Sequence, residues 1–149
     1  MPKLGLKSDS FEYGEPIPER HTCSADGASP PLTWSFVPEG TRTMALVLHD
    51  PDAPSGDFVH WLAWNIDPAD GGIEGDKPAP AEGTNGFGRP GYAGPCPPPG
   101  HGPHRYYFQL YALDTELDLD PGAAREQLDE AMKGHVLAEA ELMGIFKRT

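Results

Sequence analysis

Positive charge is scarce in this sequence. Eleven Lys and Arg stand against 23 Asp and Glu, for a formal net charge of −12 at pH 7. That balance excludes a nucleic-acid partner, because no basic footprint exists to replace the counterions of a phosphate backbone. An anionic membrane surface would be repelled for the same reason. Any anion bound here has to be held by local donors working against the field of the whole chain. Long apolar runs are missing as well. No window is long enough to span a bilayer, and Met1 to Ser8 carries no apolar signal-peptide core. The expectation is a cytoplasmic protein without stable membrane insertion. Cysteine is limited to Cys23 and Cys96, which match no metal spacing, so reduced structural thiols are expected in that compartment.

What is plentiful is punctuation: 18 Gly and 18 Pro among 149 residues, with hydrophobic residues at 38%. That composition predicts short strands joined by turns and shaped loops, in one domain spanning residues 1–149. Three Trp, five Tyr and six Phe, most of them in alternating runs, argue against disorder.

Short strands are expected at Lys3 to Phe11 and from Leu32 to Phe36. Three longer segments alternate clearly enough to assign faces, since successive strand residues point to opposite sides. In Thr43 to Asp50, parity puts Asp50 on the side of Met44, Leu46 and Leu48. In Phe58 to Ile66, His60 shares its side with Phe58, Leu62 and Trp64. In His104 to Leu113, His104 and Tyr106 align with Phe108, Leu110 and Ala112, while Arg105 and Gln109 point away. Proton-exchanging side chains thus fall on the buried side of three strands, near strand ends. Antiparallel pairing would gather such ends at one edge of a sheet. Buried polar groups cost about 1–3 kcal/mol each unless hydrogen-bonded, so a cluster of them predicts a polar pocket.

Asp67 to Pro103 is dense in Gly and Pro and reads as an ordered loop walling that pocket. Asp120-Pro121 reads as the start of a short helix near residues 121–133, with Gly134 as its terminator. In the tail, Val136, Ala138, Ala140 and Leu142 suggest a strand, and period alone leaves a helix open.

Two motifs go beyond pattern. Asp50-Pro51-Asp52-Ala53-Pro54 is followed by His60-Trp61, and Gly94-Pro95-Cys96-Pro97-Pro98 leads to Gly102-Pro103-His104-Arg105-Tyr106. In order and spacing they resemble the phosphatidylethanolamine-binding protein (PEBP) family, in particular its short prokaryotic branch described as Raf kinase inhibitor-like. Ser29 to Trp34 and Val136 to Leu142 extend the resemblance over nearly the whole chain. It implies a mainly β, antiparallel Greek-key sandwich with an anion-accepting cavity at one end, and a strand after Gly134. It carries ligand-binding roles onto Asp50, His60, Gly94, His104 and Tyr106. A homodimer and a kinase or protease partner are compatible with it. The C-terminal helix of eukaryotic members has no counterpart here, which weakens the case for a kinase partner.

The expected chemistry is recognition of a small anionic, phosphate-like ligand with no cofactor. Imidazole N–H groups, the Tyr106 hydroxyl and backbone N–H groups near Gly94 would donate, with Asp50 orienting a histidine or accepting from a cationic headgroup. Asp50 also suits an Asx-type turn, Asp52 surface turn chemistry. His21, His49, His101 and His135 are expected to be structural or solvated. The alternative is a hydrolase or metal enzyme using Asp50, His60 and His104 as a two-histidine, one-carboxylate set. No Ser or Cys stands in a nucleophile-elbow context, although Cys96 borders the pocket loop.

Overall fold

The computed structural model describes residues 3–148. Its strands are β1 (Gly5–Lys7), β2 (Leu32–Ser35), β3 (Thr43–Asp50), β4 (Phe58–Ile66), β5 (Gly72–Ile73), β6 (Ala81–Glu82), β7 (His104–Leu113) and β8 (Val136–Phe146), with one α-helix, α1 (Arg125–Met132). They form two antiparallel sheets, β1-β2-β5 and β6-β4-β3-β7-β8. This is the mainly β architecture that composition and alternation predict, in the two-sheet arrangement that the family resemblance implies. The strand expected from Lys3 to Phe11 is only three residues long. The ambiguous tail is a strand of 11 residues, paired with β7 along most of its length.

The larger sheet is buried on both faces. Towards the small sheet, Met44, Leu46, Leu48, Trp61, Phe108 and Leu110 pack with Leu6, Leu32 and Trp34. On the other face, Ala45, Val47, Leu62 and Trp64 pack under Leu128 and Met132 of α1. Trp61, Trp64 and Phe108 are fully buried, each contributing about 1.5–3 kcal/mol or more of transfer free energy. Two-sided burial explains why β3 is almost continuously apolar, which alternation alone does not require.

The helix starts later than the Asp120-Pro121 signal suggests. Gly122 has a φ of +89°, which breaks helical geometry, and Ala123 N donates to Asp120 O in a closed turn. The first helical turn is capped instead by Gln127, whose Oε1 accepts from Ala124 N at 2.8 Å. Gly134, at φ +83°, stops the helix as expected. The Gly/Pro-rich stretch from 67 to 103 contains a 3₁₀ turn at Pro68–Asp70 and the strands β5 and β6, each two residues long, and is otherwise irregular.

One irregularity in β4 positions the site. Opposite β3, Leu48 pairs with Trp61 and His49 with Val59, leaving His60 as an extra residue in a β-bulge. Strict parity would keep His60 beside Leu62 and Trp64, on the helix-covered face. The bulge turns it instead to the face that carries Asp50 and Tyr106, and this corrects the parity reading of β4.

The thiol expectation is overturned. Cys23 and Cys96 form a disulfide, with Cα atoms 5.3 Å apart across 73 residues of sequence. The turn after Glu19 packs directly on the loop before β7: Cys23 N donates to Pro95 O at 3.1 Å, and Tyr92 Oη donates to His21 O at 2.6 Å. Gly94 permits the approach, because a Cβ there would sit 2.6 Å from His21 O. Sequence spacing holds no trace of such a tertiary contact.

Candidate functional site

The ends of three neighbouring strands meet at one edge of the larger sheet. Asp50 closes β3, Phe58 and His60 open β4, and His104 and Tyr106 open β7. They line a cavity of about 230 Å³, together with Ala53, Pro54 and Ser55 from the turn after β3. Phe87, Cys96, Pro97 and Pro98, from the Gly/Pro-rich loop, complete the wall. Four of the five residues singled out from sequence therefore come together. Larger depressions exist; one of about 520 Å³ runs between Ile66 and Pro80. Its charged side chains, Asp70, Glu74 and Lys77, are all exposed, so it lacks a desolvated polar group.

Asp50 does two jobs. Its Oδ1 accepts from Asp52 N at 2.8 Å, the Asx-type turn expected of an Asp-Pro-Asp run. Its Oδ2 faces His104 Nδ1 at 2.6 Å, with side-chain exposures of 4% and 2%. A carboxylate can only accept, so His104 carries its proton on Nδ1. Pro51 and Pro54 follow trans peptide bonds.

His60 Nδ1 donates to Ala93 O at 2.8 Å, which leaves Nε2 as a bare lone pair when the ring is neutral. Burial pushes the His60 imidazole below its ordinary range, and the Ala93 carbonyl, the Asp50 carboxylate and the Gly94 carbonyl oppose that shift only in part. His60 is held against Tyr106 edge-to-face, with ring centroids 5.4 Å apart, and against Phe58 at 5.1 Å.

Tyr106 is fully buried, and its hydroxyl makes no hydrogen bond of good geometry. Desolvation, reinforced by the Asp50 carboxylate through its charge and a weak contact with that hydroxyl, raises the phenol well above its usual value, so it remains a donor. A buried donor without a well-placed acceptor costs about 1–3 kcal/mol, and Tyr106 stands in the wall of the cavity.

Gly94 is placed differently. It does not line the cavity; it packs against His21 and Thr22 and reaches His60 through its carbonyl rather than its N–H. Arg105 points away from His104, as alternation requires, and holds Asp52 in a two-pronged pair at 2.8 and 2.9 Å. That guanidinium lowers the Asp52 carboxyl to about 2. His101 is the neighbour that sequence reasoning missed: its Nδ1 faces His104 Nε2 at 2.6 Å. The signal was its spacing, three residues from His104 across a Gly-Pro turn. Of the others set aside, His21 is a core residue, bonded to Ala28 O and Ser10 Oγ.

A cavity with buried Asp, His and Tyr side chains at the strand ends of a two-sheet antiparallel sandwich, walled by an Asp-Pro turn and a Cys-Pro-Pro loop, defines a class of binding domains. Residues 7–147 match the family model described as Phosphatidylethanolamine-binding protein, and the chain belongs to that family. A UPF0098 protein of Methanothermobacter thermautotrophicus is 47% identical, over 97% of this chain and 99% of that relative. A crystal structure of a protein described as a PEBP homolog from Chlamydia trachomatis superposes with a TM-score of 0.95 at 39% identity, covering both chains fully. Escherichia coli YbcL, described as a member of the mammalian PEBP family, superposes at 0.92 with 29% identity, over 99% of this chain and 100% of that one.

Proposed function

We propose that the protein binds a small phosphate-type oxyanion, free or as a headgroup, in the cavity formed by Asp50, His60, His104 and Tyr106, without turning it over. The observation that carries this reading is the fully buried Tyr106 hydroxyl in the wall of that cavity, without a hydrogen bond of good geometry. A hydrophobic core has no use for such a donor, whereas an oxyanion supplies its missing acceptor. A volume of about 230 Å³ lies below the usual range of about 300–1,000 Å³ for drug-sized ligands, which suits a single headgroup.

Protons decide the affinity. His60 Nε2 and Asp50 can both accept, so a fully deprotonated anion meets two lone pairs and one donor. The match improves when the ligand carries a proton or His60 takes one up on Nε2. Charge-assisted hydrogen bonds are about twice as strong as neutral ones, so binding should tighten as pH falls towards the depressed His60 range.

Non-catalysis is supported by how the polar groups are occupied. Asp50 spends both carboxylate oxygens, on Asp52 N and on His104 Nδ1, which disfavours a two-histidine, one-carboxylate metal set. Among the described residues, no cluster of three His, Cys, Asp or Glu has metal-holding geometry. The test is calorimetric titration with inorganic phosphate and with phosphoethanolamine at several pH values, beside a phosphatase assay. Binding that strengthens on acidification, with hydrolysis at the blank rate, is expected. Affinity flat from about pH 5 to 8 would sink the protonation scheme. Hydrolysis abolished by His104→Ala would sink the non-catalytic reading.

A cytoplasmic location is part of the same proposal, and the Cys23–Cys96 bridge makes it a demanding one, since reducing compartments usually keep thiols apart. Among the described residues, no helix is long and apolar enough to cross a membrane.

A further inference from the structure

An imidazole that is to hold an anion needs a free N–H, and His104 has none to spare. Its Nδ1 is committed to Asp50 and its Nε2 to His101, each at 2.6 Å. One of these contacts must be surrendered when a ligand arrives. The Asp50 contact is the poor choice, because both side chains are almost fully buried and parting them would leave a desolvated carboxylate unpaired.

The His101 contact has the opposite character. Its residue is exposed, and within the described residues its ring has no hydrogen-bond partner other than His104. The two rings meet edge-to-face with centroids 4.8 Å apart. His101 sits between Gly100 and Gly102, at φ +75° and +89°, and a Cβ on either glycine would meet nothing within 4 Å. The backbone leading into the ring is held by His101 N donating to Pro98 O at 3.1 Å and Gly100 N to Arg148 O at 3.2 Å, and β7 begins three residues after it. A ring on an anchored turn, facing open space, can leave by rotating its side chain alone.

We propose that His101 is an internal latch, a ring that occupies His104 Nε2 in the empty protein and is displaced by the incoming oxyanion. The inference rests on the anion-pocket reading above. An N–H···N contact holds one proton between two nitrogens. The exchanging pair carries one positive charge and three protons, one on His104 Nδ1, one on His104 Nε2 shared with His101 Nδ1, and one on His101 Nε2. When the ring leaves, the shared proton stays on His104 Nε2 and is donated to the anion, and His101 departs neutral. The latch also sets a threshold. A neutral hydroxyl offers His104 no more than an imidazole nitrogen does, whereas a charged oxygen makes the stronger bond and wins the exchange.

The test uses the full chain and inorganic phosphate as the probe. Titration calorimetry compares the wild type with His101→Ala, an exposed change that should not disturb the fold. Imidazole ¹⁵N NMR reads the His101–His104 coupling through the hydrogen bond directly. Removing the competitor should tighten phosphate binding about tenfold, the size of one net hydrogen bond. In the wild type, the coupling should be present without phosphate and lost at saturation. Equal or weaker binding by the variant, or a coupling that survives saturation, overturns the latch and leaves the anion pocket standing. Absence of phosphate binding by both proteins overturns the pocket and the latch together.

Discussion

Asp50 Oδ2 and His104 Nδ1 lie 2.6 Å apart although 54 residues separate them in sequence, and neither side chain is more than 4% exposed. This contact joins the end of β3 to the start of β7 and fixes the tautomer of the histidine. Removing one partner of a buried charged pair typically costs 3–5 kcal/mol, because the survivor is left desolvated. Asp50→Ala should therefore lower stability by about 3 kcal/mol in urea denaturation, whereas Asp50→Asn, which still accepts, should lose only about 1 kcal/mol. Equal losses would mean that a neutral acceptor cannot stand in for the carboxylate charge.

Tyr106 should behave in the opposite way. Phe at this position deletes a buried hydroxyl that makes no hydrogen bond of good geometry in the empty protein. Tyr106→Phe is expected to raise the stability of the ligand-free protein by about 1 kcal/mol and to weaken phosphate binding about tenfold. Thermal unfolding with and without phosphate separates the two effects. A variant destabilised by the change would show that the hydroxyl already has a bond in the empty state.

Acid should act in two steps. Burial lowers the His21 and His60 imidazoles below their ordinary value. The unfolded chain takes up protons first, so their stabilising contribution is present above about pH 6.5 and is lost as pH falls through the depressed folded values. Asp52, lowered to about 2 by Arg105, adds a second loss below about pH 4 that is muted because the pair is partly exposed. NMR titration should find the His21 and His60 imidazoles still neutral just below about pH 6.5, where a free imidazole is charged. Charging of both at the free-imidazole value would contradict the desolvation argument.

The disulfide should matter for both stability and the pocket wall. Closing a loop of this length is worth about 4 kcal/mol in the chain-entropy limit. Cys23→Ser with Cys96→Ser should lower stability by about 2–4 kcal/mol and weaken phosphate binding as well, because Cys96, Pro97 and Pro98 wall the cavity. A protein whose melting temperature is unmoved by reductant would show that the bridge adds nothing.

How much of this was legible in the sequence depended on the range of the interaction. The long strands β3, β4 and β7 were readable because alternation is a local signal, and their ends marked where polar groups would gather. Asp50 and Tyr106 fell on the correct face because β3 and the start of β7 keep their register around them. His60 lines the cavity for a reason that parity did not supply: parity grouped it with Leu62 and Trp64, which lie on the opposite, equally buried face. Gly94 was read as a donor into the pocket, but its lack of a side chain serves the approach of the His21 segment. Cys23 to Cys96 could not be derived, since it is decided by where a loop comes to rest, and His101 was signalled only by its short spacing from His104.

The bulge at His60 has a consequence for comparing relatives. Which wall of the sheet receives the imidazole is set by residue count, one more on β4 than on β3, and not by side-chain preference. A single-residue deletion near Val59 would leave the strand just as apolar and just as strongly paired, yet would send the ring beneath the helix. Hydropathy would not register that loss, so an alignment gap at this spot says more about competence to bind than many substitutions elsewhere.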